Sequence, residues 1–139
     1  MGHGAADAAS RLTTTAVVVP YRETPAEMAA CYQAADVTLV TSHVEAFGRI
    51  AAESQACGTP VVAFDSGGLA EVVLDGVGGR SVPRKDLERL VVALSELVND
   101  EVGRKRLGAQ GVEFVRENFT SRRIGQEYVE LYRSVIEGS

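Results

Sequence analysis

Apolar positions along this chain fall into two patterns, short unbroken runs in the first half and one-face stripes in the second. AVVVPY, ended by Pro20, is a short β-rich run; Val37 to Val40 and Pro60 to Phe64 are apolar without alternation, as strands covered on both faces are. Between the first two runs, TPAEMAACYQAAD carries Thr24 as N-cap, Pro25 at the first helical position and Glu27 as the capping-box acid. Those residues predict a helix that ends near Asp36. A second helix is predicted from about Phe47 to Cys57, stopped by Gly58 and Pro60. Strand, helix and strand joined by tight connections make a βαβ unit, so the fold class is α/β, a Rossmann-like parallel sheet with flanking helices. SGGLAEVVLDG follows as a Gly-rich turn, a short helix and another turn, and GGRSV reads as a short edge strand.

From Asp86 onward the period becomes helical. Leu87, Leu90, Val91, Leu94, Leu97 and Val98 share one face, and a break at Asn99-Asp100 precedes a helix to about Asn118. Thr120 caps a last helix with Ile124, Tyr128, Leu131, Tyr132 and Val135 on its inner face. These stripes read as core or docking surface. The small, polar, aperiodic residues 1–15 read as a poorly packed leader, which leaves 16–139 as one partial domain.

Composition narrows the classes. With 139 residues and 45% hydrophobic content, the chain suits one globular core. A net charge of −5 and a pI near 5.0 argue against a nucleic-acid footprint, which shows as a clustered basic excess. The basic run from Arg104 to Arg106 is read as a solvated helix face. Cys31 and Cys57 have no metal-ligand spacing and read as buried, reduced thiols, as in a cytosolic protein. No run is long enough to span a bilayer and no signal peptide is recognisable, so a cytoplasmic chain is expected, with peripheral contact at the inner membrane face left open.

The candidate chemistry lies in HVEAFGRIAAESQACGTPVVAFDSGG. A helix that begins around Phe47 offers the free amides of Phe47, Gly48, Arg49 and Ile50 as a partly positive patch suited to phosphate. Gly48 lets an anion approach closely. If helical throughout, Glu45 to Glu53 covers about 12 Å of rise with an offset of roughly 80°, which lets both carboxylates flank one face. That span matches a nucleotide-sugar, one carboxylate accepting sugar hydroxyls and the other ribose hydroxyls. The plain alternative is a helix-start acid followed by a solvated face acid.

EAFGRIAAESQACGTPVVAFDSGGLAEVVLDGVGG resembles the signature of the group 1 family of retaining GT-B glycosyltransferases. The shared features are Glu-x-Phe-Gly, a second Glu eight positions after the first, Ala-Cys-Gly-x-Pro-Val-Val, Gly-Gly and Glu-Val-Val-x-Asp-Gly. The likeness covers about Ala29 to Pro83, and FVRENFTSRRI looks like the family's C-terminal tail, whose final helix crosses back toward the other domain. The resemblance implies that Glu45 contacts the donor sugar as the catalytic-site acid. It also implies that main-chain amides of Phe47 and Gly48 meet the sugar or diphosphate, that Arg49 and Ile50 help hold the phosphates, and that Glu53 binds the ribose 2′- and 3′-hydroxyls. Arg49 as a solvent-facing residue stays open. Thr41 and Ser54 depart from the family's usual Pro and Ala, and neither removes a donor ligand.

In the family the donor is a nucleotide-diphosphate sugar, used without a further cofactor and in most members without metal. The leaving diphosphate takes part in moving the acceptor's proton, and an Arg/Lys pair from a G-R-x-x-x-x-K-G strand and turn neutralises it. That stretch and the N-terminal acceptor domain have no counterpart here, and Arg22 sits in the wrong context for the role. The missing pieces include the family's central strand, so the Val17 to Val19 strand is expected to lie loose or re-pair. The expectation is therefore a donor-binding fragment of a glycosyltransferase, inactive by itself. The alternative is a stand-alone Rossmann-like nucleotide-binding or scaffold module.

Overall fold

The computed structural model describes residues 13–19, 22 and 24–138. In chain order the elements are α1 (Pro25–Gln33), β1 (Thr38–Val40), α2 (Arg49–Ala56), β2 (Val61–Asp65), α3 (Leu69–Val72), β3 (Leu74–Asp75), β4 (Gly78–Pro83), α4 (Leu87–Asn99), α5 (Glu101–Asn118) and α6 (Ser121–Glu137). Thr24 closes the full capping box with Glu27 that the sequence predicts, and Asp86, Asp100 and Thr120 cap α4, α5 and α6 by accepting the amides of Arg89, Gly103 and Arg123. Each such cap satisfies a backbone donor that the first helical turn leaves without a partner.

The strands form a four-stranded sheet in the order β1-β2-β4-β3, with all three pairings parallel. β2 is its centre: Val61, Val62 and Ala63 are 0% exposed and Phe64 1%. Val61 and Ala63 face a cluster with Val40, Ala51, Ala52, Leu69, Val72 and Val73. Val62 and Phe64 face another with Val82, Leu90, Ala93, Leu97 and Leu107. α2 and α3 therefore cover one face and α4 and α5 the other, the arrangement a doubly covered parallel strand requires.

Polar side chains lock these layers at their buried ends. Ser54 donates to the Thr59 carbonyl at 2.9 Å and accepts from the Thr38 hydroxyl at 2.8 Å, while Thr59 donates to the Tyr32 carbonyl at 2.7 Å. Gln55, 0% exposed, donates to the Val72 carbonyl and fixes α3 on α2. Arg104 is not on a solvated face. Its guanidinium reaches the Leu97 and Val98 carbonyls at the end of α4 and Asp36 in the turn before β1.

Several expectations are corrected. GGRSV belongs to an internal strand, β4, because β3 forms beyond it and takes the edge. Residues 15–19 join no strand and Val17 is 82% exposed, so the Val17 to Val19 run is not a strand here and lies loose, the first of the two outcomes expected for it. α1 stops at Gln33 and α2 starts at Arg49, two positions later than Phe47. On α4 the buried positions are Leu90, Ala93 and Leu97, whereas Leu87, Val91 and Val98 are exposed. No residue of α6 is buried, so its apolar stripe is not an inner face within the described residues. Cys31 and Cys57 are free but only half-buried. The leader's first twelve residues lie outside the described residues.

Close contact between β4 and β2 depends on Gly79, where an added Cβ would stand 2.1 Å from the Val61 carbonyl oxygen. Gly79→Ala is expected to destabilise the fold by roughly 1–3 kcal/mol, the usual cost of overpacking. Gly125→Ala, which meets nothing within 4 Å on exposed α6, should instead gain about 0.5–1 kcal/mol of helix stability. Urea unfolding of the two variants checks both, and equal midpoints would refute the packing argument.

Candidate functional site

The segment from Thr41 to Gly48 forms a ledge over the C-terminal ends of β1 and β2, where open α/β sheets place their ligands. Four contacts hold it there. Ser66 donates to the Ser42 carbonyl at 2.7 Å, the Gly68 amide donates to the Glu45 carbonyl at 2.9 Å, and Arg84 donates to the His43 carbonyl at 3.4 Å. The His43 ring stacks on Phe64, centroids 5.6 Å apart. The Gly67-Gly68 turn presses so closely on this backbone that a Cβ at Gly68 would lie 2.3 Å from the Ala46 carbonyl oxygen.

Gly48 is the N-cap of α2, in the left-handed region at φ 93°, and no side chain caps the helix. A Cβ there would also meet Leu69 at 2.7 Å, so both backbone angle and space demand glycine. The Ala52 amide is the first to bond back, to the Gly48 carbonyl at 3.1 Å. The helix-start donors are therefore the amides of Arg49, Ile50 and Ala51, with Phe47 and Gly48 in the entering loop. The Phe47 ring packs edge-on against Phe119 at 5.4 Å, in the junction between α5 and α6. Its side chain is engaged in packing.

The sequence argument from continuous helical spacing between Glu45 and Glu53 does not hold, since Glu45 precedes the helix. Glu45 is half-buried in the ledge, its Cγ 3.8 Å from the position a Gly48 Cβ would take. Glu53 lies one turn into α2 with its side chain 42% exposed. It is not covered by the C-terminal helices. Its Oε2 accepts from the Tyr32 hydroxyl at 3.0 Å, and its Oε1 faces Arg49 Nε at 3.4 Å. Arg49 is 84% exposed, so that ion pair is solvent-screened and weak. Ile50 is exposed as well.

Tyr32, Ser66, His43 and Arg84 support the ledge or Glu53, and none was singled out from the sequence. The one available signal was Tyr32 in the run Tyr32-Gln33-Ala34-Ala35-Asp36-Val37, an aromatic in the otherwise alanine-rich end of the helix before β1. Open clefts occur elsewhere: about 300 Å3 beside Asp36, Thr59 and Arg104 at the N-terminal ends of the strands, and about 430 Å3 beside Asp75, Arg80 and Arg89. Neither adjoins the ledge. Among the described residues, no group of three or more His, Cys, Asp or Glu could hold a metal ion, and no helix is long and apolar enough to cross a membrane.

Comparison with known proteins bears on the family and the fold. The family model described as Glycosyl transferases group 1 matches residues 6–114. A D-inositol 3-phosphate glycosyltransferase of Thermobifida fusca is 46% identical over 87 residues, covering 63% of this chain and 20% of the relative. The chain thus spans about a fifth of that relative's length. Sucrose-phosphate synthase from Thermosynechococcus elongatus has a similar structure, with a TM-score of 0.72 and 36% identity over 81% of this chain and 28% of that one. Anabaena Alr3699/HepE, solved in complex with UDP-glucose, has a TM-score of 0.70 and 27% identity, covering 78% of this chain and 30% of its own. The parallel sheet with flanking helices is the Rossmann-like arrangement of these GT-B neighbours.

The environment of Glu53 leaves a mark on Tyr32. Burial, then the hydrogen bond to Glu53 and its negative charge, push the phenol from 10.0 up to about 12. The folded chain holds this proton more tightly than the unfolded one, so the stability involved is complete below pH 10.0 and is lost as pH rises through about 12. Ultraviolet titration should show a late phenolate step that Tyr32→Phe removes. Ionisation of every tyrosine around 10.0 would contradict the contact.

Proposed function

Because the chain belongs to the group 1 glycosyl transferases, we propose that it forms the donor-binding half of a retaining enzyme that moves a hexose-type sugar from a nucleoside-diphosphate sugar to an acceptor. The donor is the substrate, no further cofactor takes part, and the acceptor is held by an N-terminal domain across the cleft. The enzyme works in the cytoplasm.

What supports this is the start of α2: an uncapped helix terminus at a left-handed Gly48, on the carboxyl side of the sheet, with an acid before it and an acid one turn inside it. Helix-start amides attract phosphate because they are unpaired donors at the positive end of the helix dipole. The amides of Arg49 and Ile50 take the diphosphate, and the main chain of Phe47 and Gly48 meets its sugar side. Glu45 accepts hydroxyls of the transferred sugar, and the half-exposed Glu53 accepts those of the ribose. A carboxylate has about four acceptor positions, so Glu53 can keep its Tyr32 contact and still take a diol.

UDP is the probe suggested by the Anabaena HepE structures with UDP and UDP-glucose. An exposed helix terminus contributes only about 0.3–1 kcal/mol per charge, so binding to this chain should be weak. Titrating the isotope-labelled chain with millimolar UDP should shift the amide resonances of Gly48, Arg49, Ile50 and Ala51. Shifts confined to the cleft around Arg104 would overturn the assignment.

In an enzyme assembled with its acceptor domain, Glu53→Ala should chiefly raise the donor KM, by about 1–3 kcal/mol of lost binding. Glu45→Ala should lower kcat as well, since its ligand is the reacting sugar. Steady-state kinetics separates the two, and wild-type values for both variants would return the acids to a structural role.

A further inference from the structure

We infer that Tyr32 is a positioning residue for the nucleotide's ribose: its hydroxyl holds the Glu53 carboxylate in the orientation that receives the 2′- and 3′-hydroxyls. This rests on the ribose role proposed for Glu53 and extends it to a residue on another element.

Three observations carry it. First, the contact is long-range and directional, from α1 to α2, with the Tyr32 hydroxyl 3.0 Å from Oε2 of a residue 21 positions away. Second, Tyr32 is held in place: the residue is 8% exposed, and its main-chain carbonyl accepts from Thr59 Oγ1 at 2.7 Å, just beyond the end of α2. It therefore has little freedom to follow a wandering carboxylate. Third, among the described residues Glu53 has no other well-shielded partner, since Arg49 is 84% exposed and meets Oε1 at 3.4 Å. A carboxylate held by one rigid, shielded donor keeps its remaining lone pairs aimed in fixed directions, and the ordering entropy is met on folding rather than on binding. The hydroxyl spends its one proton on Oε2, so the carboxylate keeps acceptor positions for two O–H groups.

A merely structural hydroxyl would join α1 to α2 and nothing more, so the test needs a readout that packing does not move. That readout is the preference for UDP over 2′,3′-dideoxy-UDP, measured by the same resonance titration on the unsubstituted chain, Tyr32→Phe and Glu53→Gln. The unsubstituted chain should prefer UDP, and Glu53→Gln should abolish most of that preference. Tyr32→Phe should lower it by about three- to tenfold, the worth of one hydrogen bond, while affinity for the dideoxy analogue stays unchanged. The dideoxy arm separates positioning from unfolding, because a damaged fold weakens both ligands alike. If Glu53→Gln loses the preference and Tyr32→Phe keeps it, or Tyr32→Phe weakens both ligands equally, the positioning role is refuted while the Glu53 assignment stands. If the unsubstituted chain shows no preference, or Glu53→Gln retains it, the ribose role of Glu53 fails and the role of Tyr32 fails with it.

Discussion

Everything in this chain is arranged around one strand that has no solvent face. β2 presents Val61 and Ala63 to one layer of helices and Val62 and Phe64 to the other, and none of the four is more than 1% exposed. Burying apolar side chains on both sides of a strand is the dominant favourable term available to so short a sheet. Its two neighbours run parallel to it, and the connections between them return over a covered face through helices. The carboxyl ends of the strands consequently lie at one edge, and the loops that leave β1 and β2 meet there.

α2 carries the coupling between this core and the site. Ala51 and Ala52 let it sit close on the sheet, the Ser54 hydroxyl and the Gln55 amide nitrogen bond to Thr38, Thr59 and Val72, and the opposite side presents Arg49 and Glu53. Because the buried half is fixed by packing and hydrogen bonds, the exposed half has a fixed height and rotation. The ledge before it is fixed in turn by the 66–68 turn at the end of β2. A ligand site built this way draws its rigidity from the core rather than from its own loop.

The outer surfaces are less complete than this centre. β1 pairs with β2 alone among the described strands, and Leu39 on it is 46% exposed. α6 exposes Tyr128, Leu131, Tyr132 and Val135, and its Tyr128 and Tyr132 rings lie against each other, centroids 6.2 Å apart. The strong amphipathic pattern of this helix told of a face that favours burial without telling what would bury it. The same limit applied to α4, where half of the stripe read from the sequence remains in solvent.

What the sequence determined by itself was whatever depends on near neighbours. Thr24, Asp86, Asp100 and Thr120 mark helix starts because each accepts an amide three residues on. Unbroken apolar runs marked both β1 and β2, but the full burial that needs no alternation holds only for β2, since Leu39 on β1 is 46% exposed; the motif from Glu45 to Gly68 marked the family. Tertiary structure alone decided the rest. Gly48 starts α2 because Leu69, from another element, fills the space a side chain would need. GGRSV is internal because β3 pairs beyond it, and the ends of a sheet are a property of the assembled strands. Tyr32 reaches Glu53 only once α1 has docked on α2. A hydrogen bond across that distance in sequence has no local signature, because the free energy that forms it comes from packing the two helices together.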